Sequence, residues 1–278
     1  MKPILYLTLL ALLTACYEDS AGCLDPDFAN YDVNADVACD GCCEAPSLRL
    51  QFDHRYGDDA LGAAADTFYV DGAGNAFRID RIRMYLSDIA FRAADGTIRP
   101  ALDTVAGATV GTAGDTVATE FNSNLVLLDS RAATAREVGS LRTGFELNAL
   151  QFTVGVGEPA DRVLPTGLPS GHPLGPQPGR MYLGADSGYV QLKVELFRDT
   201  TAADTVPLVL NIIGTTPVFL DLGQNVRPAA GFDLRAVLEV NYARLFSSAD
   251  VRGDEAALRT AIVGSLTELF TLRELISE

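Results

Sequence analysis

The sequence predicts an all-β fold: an antiparallel β-sandwich with one C-terminal helix, standing behind a small disulfide-rich N-terminal module. Three observations carry this. Apolar and polar residues alternate with a period of two in several separate runs, as strands with one buried face require. Those runs are short and lie between turns rich in glycine and proline, of which the chain has 25 and 13, the punctuation of sandwiches and barrels. Four of the 5 cysteines, Cys23, Cys39, Cys42 and Cys43, crowd into one short stretch near the start, and an even set in an exported chain reads as two disulfides.

The opening residues set the compartment. Met1-Lys2 is followed by an almost unbroken apolar run over residues 4–13, which closes on Leu13-Thr14-Ala15-Cys16. A charged start, a short apolar core and small residues before a cut describe a secretory signal over residues 1–15. Small residues running straight into a cysteine resemble a bacterial lipoprotein signal, in which Cys16 would carry the acyl chains and attach the protein to a membrane surface. Residues 16–21 are then a short polar tether. Its Glu18-Asp19 pair resembles the acidic export signals of some Bacteroidetes lipoproteins, so the expected location is the outer membrane, on its periplasmic face or at the cell surface. No later segment has the apolar length of a transmembrane helix.

The formal charge of −16 over 278 residues argues against nucleic acid as a partner and against electrostatic adhesion to anionic lipid. Any membrane attachment falls to the lipid anchor. About 260 residues remain after the signal, enough for one large β domain.

Residues 22–46 form the cysteine-rich module. Vicinal Cys42 and Cys43 are expected to pair outward, with Cys23 or Cys39, and the connectivity stays open. An oxidising compartment favours disulfides over a four-thiolate zinc site. The run Gly22-Cys23-Leu24-Asp25-Pro26 through Asn30-Tyr31 resembles a short cysteine motif of exported Bacteroidetes proteins. Asp25, Asp27, Asn30, Asp32, Asn34 and Asp36 place oxygen donors at close spacing, which calcium could use. The same residue types build tight turns, and the stretch lacks the glycine and terminal glutamate of an EF-hand loop. A disulfide-pinned turn cluster is the preferred reading.

Residues 47–278 hold the main domain. Leu48, Leu50 and Phe52 alternate with Arg49, Gln51 and Asp53, a half-buried strand. Phe77, Ile79, Ile82, Met84 and Leu86 continue the pattern to Phe91, and Asp95-Gly96 marks a hairpin turn. Further strands are expected over 125–128, 147–156, 189–196, 206–213, 218–222 and 232–242. Residues 104–119, rich in Gly, Ala and Thr, read as a loop or irregular edge. Residues 159–179 are proline-rich and read as a long ordered loop. Helical spacing places Leu258, Ile262, Leu266 and Leu269 on one face of a helix over 254–275, weakened by Gly264.

Three segments in order carry a family resemblance. Gly74-Asn75-Ala76-Phe77-Arg78-Ile79 through Met84-Tyr85-Leu86-Ser87-Asp88-Ile89 resembles a "G-x-x-F-x-I-x-x-L-x-Y-Y-I-S-N-I" signature. Leu150-Gln151-Phe152-Thr153-Val154-Gly155-Val156 is similar to "I-x-F-x-I-G-V". His172-Pro173-Leu174-Gly175-Pro176, with Gly179-Arg180-Met181-Tyr182 and Ser187-Gly188-Tyr189 through Lys193-Val194-Glu195, resembles "x-P-L-x-P…G-M-Y-W-x-W-x-S-G-Y-I-x-F-K-x-E". From about Ser47 to the C-terminus the chain resembles the MbnP-like family, copper-binding β domains first associated with methanobactin gene clusters and seen in Bacteroidetes lipoproteins.

The resemblance implies copper, held by histidines and a tryptophan that a partner dihaem enzyme can oxidise. This chain has no tryptophan. Leu183-Gly184-Ala185-Asp186 stands where the family has Trp-x-Trp. Asp161-Arg162 stands near the Asn-His position, and Asn211-Ile212-Ile213-Gly214 near a His-x-Gly-Gly element. Only His54 and His172 remain. His54 follows Phe52-Asp53, as in the Phe-x-His of some members, and with Met181 or Met84 could offer Cu(I) an imidazole and a thioether. The plain alternatives are a solvent-facing strand-end histidine at His54 and a loop histidine at His172.

No enzyme is expected. Two histidines in separate segments, with no Gly-x-Ser-x-Gly elbow, do not assemble a nucleophile, a base and an orienting group. Gly155 and Gly157 lack the helix and acidic residue of a dinucleotide fingerprint, and neither haem nor nucleotide is expected. Glu195 and Asp233 cannot be placed face to face. Two functions follow: an envelope lipoprotein that takes up or buffers copper, or the same scaffold with a degenerate copper site, presenting loops such as 159–179 to an envelope partner.

Overall fold

The computed structural model describes residues 18–62, 67–111, 114–132, 135–200 and 205–278. The expected signal and Cys16, the expected acylation site, lie outside them. Among the described residues no helix is long and apolar enough to cross a membrane.

Two strands, β1 (Ala21–Gly22) and β2 (Val37–Ala38), pair in parallel inside the cysteine module. Disulfides join Cys23 to Cys43 and Cys39 to Cys42, so the vicinal cysteines do pair outward. The acidic side chains mostly serve turns. Asp25 Oδ1 accepts from the Asp27 amide and Asp32 Oδ1 from the Asn34 amide, while Asn30 bridges the Cys42 carbonyl and the Glu44 amide. Arg142 fastens the module to the main domain, donating to Asp25 and Asp27 and lying 4.8 Å over the Phe28 ring.

The main domain is a sandwich of two sheets. One contains β3 (Ser47–Tyr56), with β4 (Asp59–Ala60) paired to its end. The other is organised by β6 (Ala76–Ala93), flanked by the short β5 (Tyr69–Val70) and β7 (Ile98–Pro100). Strands β8 (Thr104–Val110) and β9 (Thr116–Asn122) form a largely exposed hairpin of their own, where composition predicts a loop or irregular edge. Their β-branched Thr and Val residues suit a pleated surface. The Gly- and Ala-rich composition that hid them reflects the few bulky side chains they bury.

Strand β10 (Val126–Asp129) joins β6 and β11 (Arg136–Ser140) joins β3. β12 (Leu147–Val154) pairs with residues 86–93 of β6, and β13 (Leu192–Phe197) with residues 78–84. β14 (Leu208–Ile212) extends the sheet beyond β13, and β15 (Thr216–Val226) beyond β12. The second sheet continues through β16 (Leu234–Asn241), which lies parallel to β3, and closes with β17 (Phe270–Ser277). The β3–β16 pair is the parallel exception in an otherwise antiparallel sandwich.

The period-two pattern states which residues face inward. Leu48, Leu50 and Phe52 of β3, and Leu234, Ala236, Leu238 and Val240 of β16, share one core with Ile82, Met84 and Leu86 of β6. Each of the larger of these side chains contributes roughly 1.5–3 kcal/mol by burial.

The C-terminal helix is shorter than its spacing predicts. It spans Glu255–Gly264, capped by the Asp254 side chain, which accepts from the Ala257 amide. A 3-10 turn follows over Leu266–Glu268, and the chain then becomes β17. Leu258, Ile262, Leu266 and Leu269 are all buried, so the apolar face is real. Pairing with β16 outcompetes helical propensity after Gly264, because β17 supplies the sheet with its last partner.

Candidate functional site

The three family-like segments, far apart in sequence, meet at one point. The Tyr85 amide donates to the Gln191 carbonyl, and the Gly155 amide donates to the Tyr85 carbonyl. Gly155 has φ +112°, and a Cβ there would sit 2.6 Å from the Gly214 carbonyl oxygen, so only glycine fits. The Ser87 hydroxyl accepts from the Gly157 amide, and Gln191 donates to the Val154 carbonyl and to Thr216.

Around this junction lies a second, smaller core built from Tyr85, Phe121, Val163, Leu174, Met181 and Tyr189 among others. Tyr85 donates to the Pro173 carbonyl, and the Tyr189 hydroxyl lies within hydrogen-bond reach of the Val163 and Leu174 carbonyls. The 159–179 segment is thus anchored at points rather than free along its length: Val163 and Leu174 are fully buried, while stretches such as 166–167 and 169–171 stay exposed. Arg83 and Lys193 add a clamp, donating to the Pro178 and Gly179 carbonyls, with Glu195 3.9 Å and 3.4 Å from them. Glu195 therefore serves Lys193 and Arg83, while Asp233 accepts from the Ser47 amide elsewhere.

The two histidines occupy different places. His172 belongs to the closed region. Its Nδ1 accepts from the Leu174 amide at 3.1 Å, and its Nε2 lies 2.7 Å from the Ser123 hydroxyl. The ring meets Phe121 edge-on. A proton is therefore placed on Nε2, and burial holds the imidazole pKa below its ordinary value.

His54 extends the inward parity of Leu48, Leu50 and Phe52, and Tyr242 extends that of Leu238 and Val240 across the parallel pair. His54 is consequently half-buried, not solvent-facing, with its ring stacked on Tyr242 at 5.8 Å and 15°. Its Nε2 lies 3.0 Å from the Ala132 carbonyl and its Nδ1 3.0 Å from the Tyr242 hydroxyl. A carbonyl only accepts, so Nε2 carries the hydrogen and Nδ1 accepts from Tyr242. Tyr242 is fully buried, which pushes its phenol far up and keeps its proton in place. Burial likewise lowers the His54 pKa.

This arrangement does not fit a copper ion at His54. A metal on Nδ1 must displace the Tyr242 hydroxyl and leave it buried without a partner, a loss of about 1–3 kcal/mol. A metal on Nε2 must displace the Ala132 carbonyl and force the other tautomer. Met181 is packed in the second core and Met84 in the main one. Among the described residues no three His, Cys, Asp or Glu side chains are grouped to hold a metal.

The positions where the family resemblance implies ligands do gather near the Tyr85 junction. A Cβ on Gly188 would sit 3.4 Å from the Asp161 carbonyl, and Gly214 abuts Gly155. The residues standing at those family positions are Asp161, Leu183, Ala185 and Asn211, none of them a histidine, and the imidazole of that region is His172, engaged by Ser123 and Leu174. His54 lies toward the start of β6, beside Ile79 and Asp80, some six residues or about 20 Å along the strand.

Beside His54, at the end of the sandwich where β3 finishes and β6 begins, is an open cleft of about 660 Å³. Phe52, Tyr69, Ile79 and Phe197 give it an apolar lining, with Arg78, Asp80 and Arg131 at the mouth. Nothing in the sequence assembles these residues; only the inward parity of His54 and Tyr242 was there to be read.

No curated protein matches this chain. Among solved structures, MbnP from Methylosinus trichosporium aligns with 16% identity and a TM-score of 0.45, over 76% of this chain and 82% of that one. The model of the MbnP family matches residues 45–262, well over half of the chain. The chain belongs to the MbnP family.

Proposed function

We propose that this protein is a lipid-anchored cell-envelope protein in which the MbnP scaffold works as a non-enzymatic binding module rather than as a histidine-based copper carrier. The observation that carries this reading is the state of His54: both ring nitrogens are already engaged inside the protein, by Ala132 and by Tyr242. The absence of tryptophan from the whole sequence supports it, since the resemblance to copper-binding members rests on histidine and indole together. Attachment through acylated Cys16 would place the module at the outer membrane, within reach of other envelope proteins.

A Cu(I) competition titration on the mature chain tests the metal half of this reading. The expected result is no binding beyond background. Stoichiometric binding that falls tenfold or more in His54→Ala would restore copper carriage and overturn it. The anchor is tested separately by Cys16→Ser, which should release the protein from membranes. Retention of that variant in the outer-membrane fraction after a salt wash would show that lipid is not the main attachment.

A further inference from the structure

The cleft beside His54 has a size suited to a small organic ligand, about 660 Å³, within the usual range for such sites. Its carboxylates are already paired. Asp80 accepts from Arg131 at 2.6 Å, and Asp53 accepts from Arg55 at 2.8 Å. The Arg78 guanidinium lies 4.4 Å over the Phe197 ring. The imidazole of His54 is held neutral by burial and by its two bonds. A cation would therefore meet no free carboxylate, and an anion is disfavoured by the net charge of −16 and by the engagement of Arg78 with Phe197. What the cleft does offer is aromatic and aliphatic surface from Phe52, Tyr69, Ile79 and Phe197.

We infer that this cleft is a binding site for an uncharged, largely apolar small molecule carrying an aromatic ring. The ring would lie against Phe197 and Tyr69, where stacked or edge-on contacts add to simple burial. This deepens the binding-module reading given above and rests on it, yet it is tested without metal, so the two can fail independently.

The test uses two probes that share one body and differ in charge: neutral N-phenyl-1-naphthylamine and anionic 1-anilinonaphthalene-8-sulfonate. Both are titrated by fluorescence into the mature chain carrying Cys16→Ser, so that no acyl chain or detergent absorbs the probe. The neutral probe should bind saturably at one per chain, at least tenfold tighter than the sulfonate. Phe197→Ala should weaken it about tenfold, whereas Phe219→Ala, an exposed aromatic stacked on Arg92 elsewhere, should not.

Because the chain has no tryptophan, Phe197→Trp supplies a single indole reporter at the cleft even if the alanine variant folds poorly. Its emission should transfer to the neutral probe and saturate at the same stoichiometry. Equal or tighter binding of the sulfonate would overturn the neutral class of ligand. Absence of saturable binding by either probe, or binding without energy transfer from the introduced indole, would overturn the site.

Discussion

The region around Tyr85 and the cleft around His54 lie along the same strand, β6, and teach opposite lessons. The first is dense in family-like motif residues and is closed: Tyr85, Met181 and Tyr189 are buried, and the hydroxyls of both tyrosines bond to loop carbonyls. The second touches only the start of the first motif, through Arg78, Ile79 and Asp80, besides the short echo Phe52-Asp53-His54, and is open. Motif density here marks where three strands and a long loop must lock together. It does not mark the accessible surface, which lies where the two sheets end and leave a gap.

That contrast can be broken by measurement. Met181→Ala should have the largest effect, a loss of about 2–5 kcal/mol in urea unfolding, because it empties a packed site. A loss under about 1 kcal/mol would mean that the second core is loose and that Met181 is free for other work. Tyr189→Phe removes the hydroxyl that reaches the Val163 and Leu174 carbonyls, and should cost roughly 1–3 kcal/mol. Wild-type stability in that variant would show that the loop is held by packing alone.

Titration sharpens the comparison between the two imidazoles. Both have folded pKa values below the ordinary 6.5 because of burial. The unfolded chain therefore takes up protons that the folded chain resists, and stability, full above pH 6.5, falls as the pH drops below it. The melting temperature should decline between pH 7.5 and 5.5, and the His54→Gln/His172→Gln double variant should flatten that decline. An unchanged slope would show that neither ring is shielded as the geometry requires. The smallest effect belongs to the cleft mouth. Arg131→Ala removes a pair whose side chains are 56% and 33% exposed, and should change stability by less than about 0.5 kcal/mol.

Much of the fold was legible in the sequence, because strand parity and turn residues are local signals. β3, β12 and β16 follow their alternation, β6 and β13 bury runs of consecutive residues because both of their faces are covered, and the cysteine module holds the expected outward pairing. Two elements were misread for the same reason, that a partner strand decides. Residues 104–119 lack bulky apolar side chains yet pair as the β8–β9 hairpin. The stretch beyond Gly264 keeps a helical apolar face yet becomes β17 against β16. At the candidate site, the parity of Leu48, Leu50 and Phe52 could have told that His54 points inward. That parity speaks against the solvent-facing alternative for His54.

The sequence by itself determined the class of fold, the cysteine module, membership of the family through three ordered segments, and the loss of the indole. All of these depend on residue identity and short-range periodicity. Only the tertiary structure decided what the remaining histidines do. The partners of His54, Ala132 and Tyr242, lie 78 and 188 residues away, and the thioethers of Met84 and Met181 are held in two separate cores. A ligand set is a matter of distances between side chains, and those distances exist only once the sheets have paired and packed.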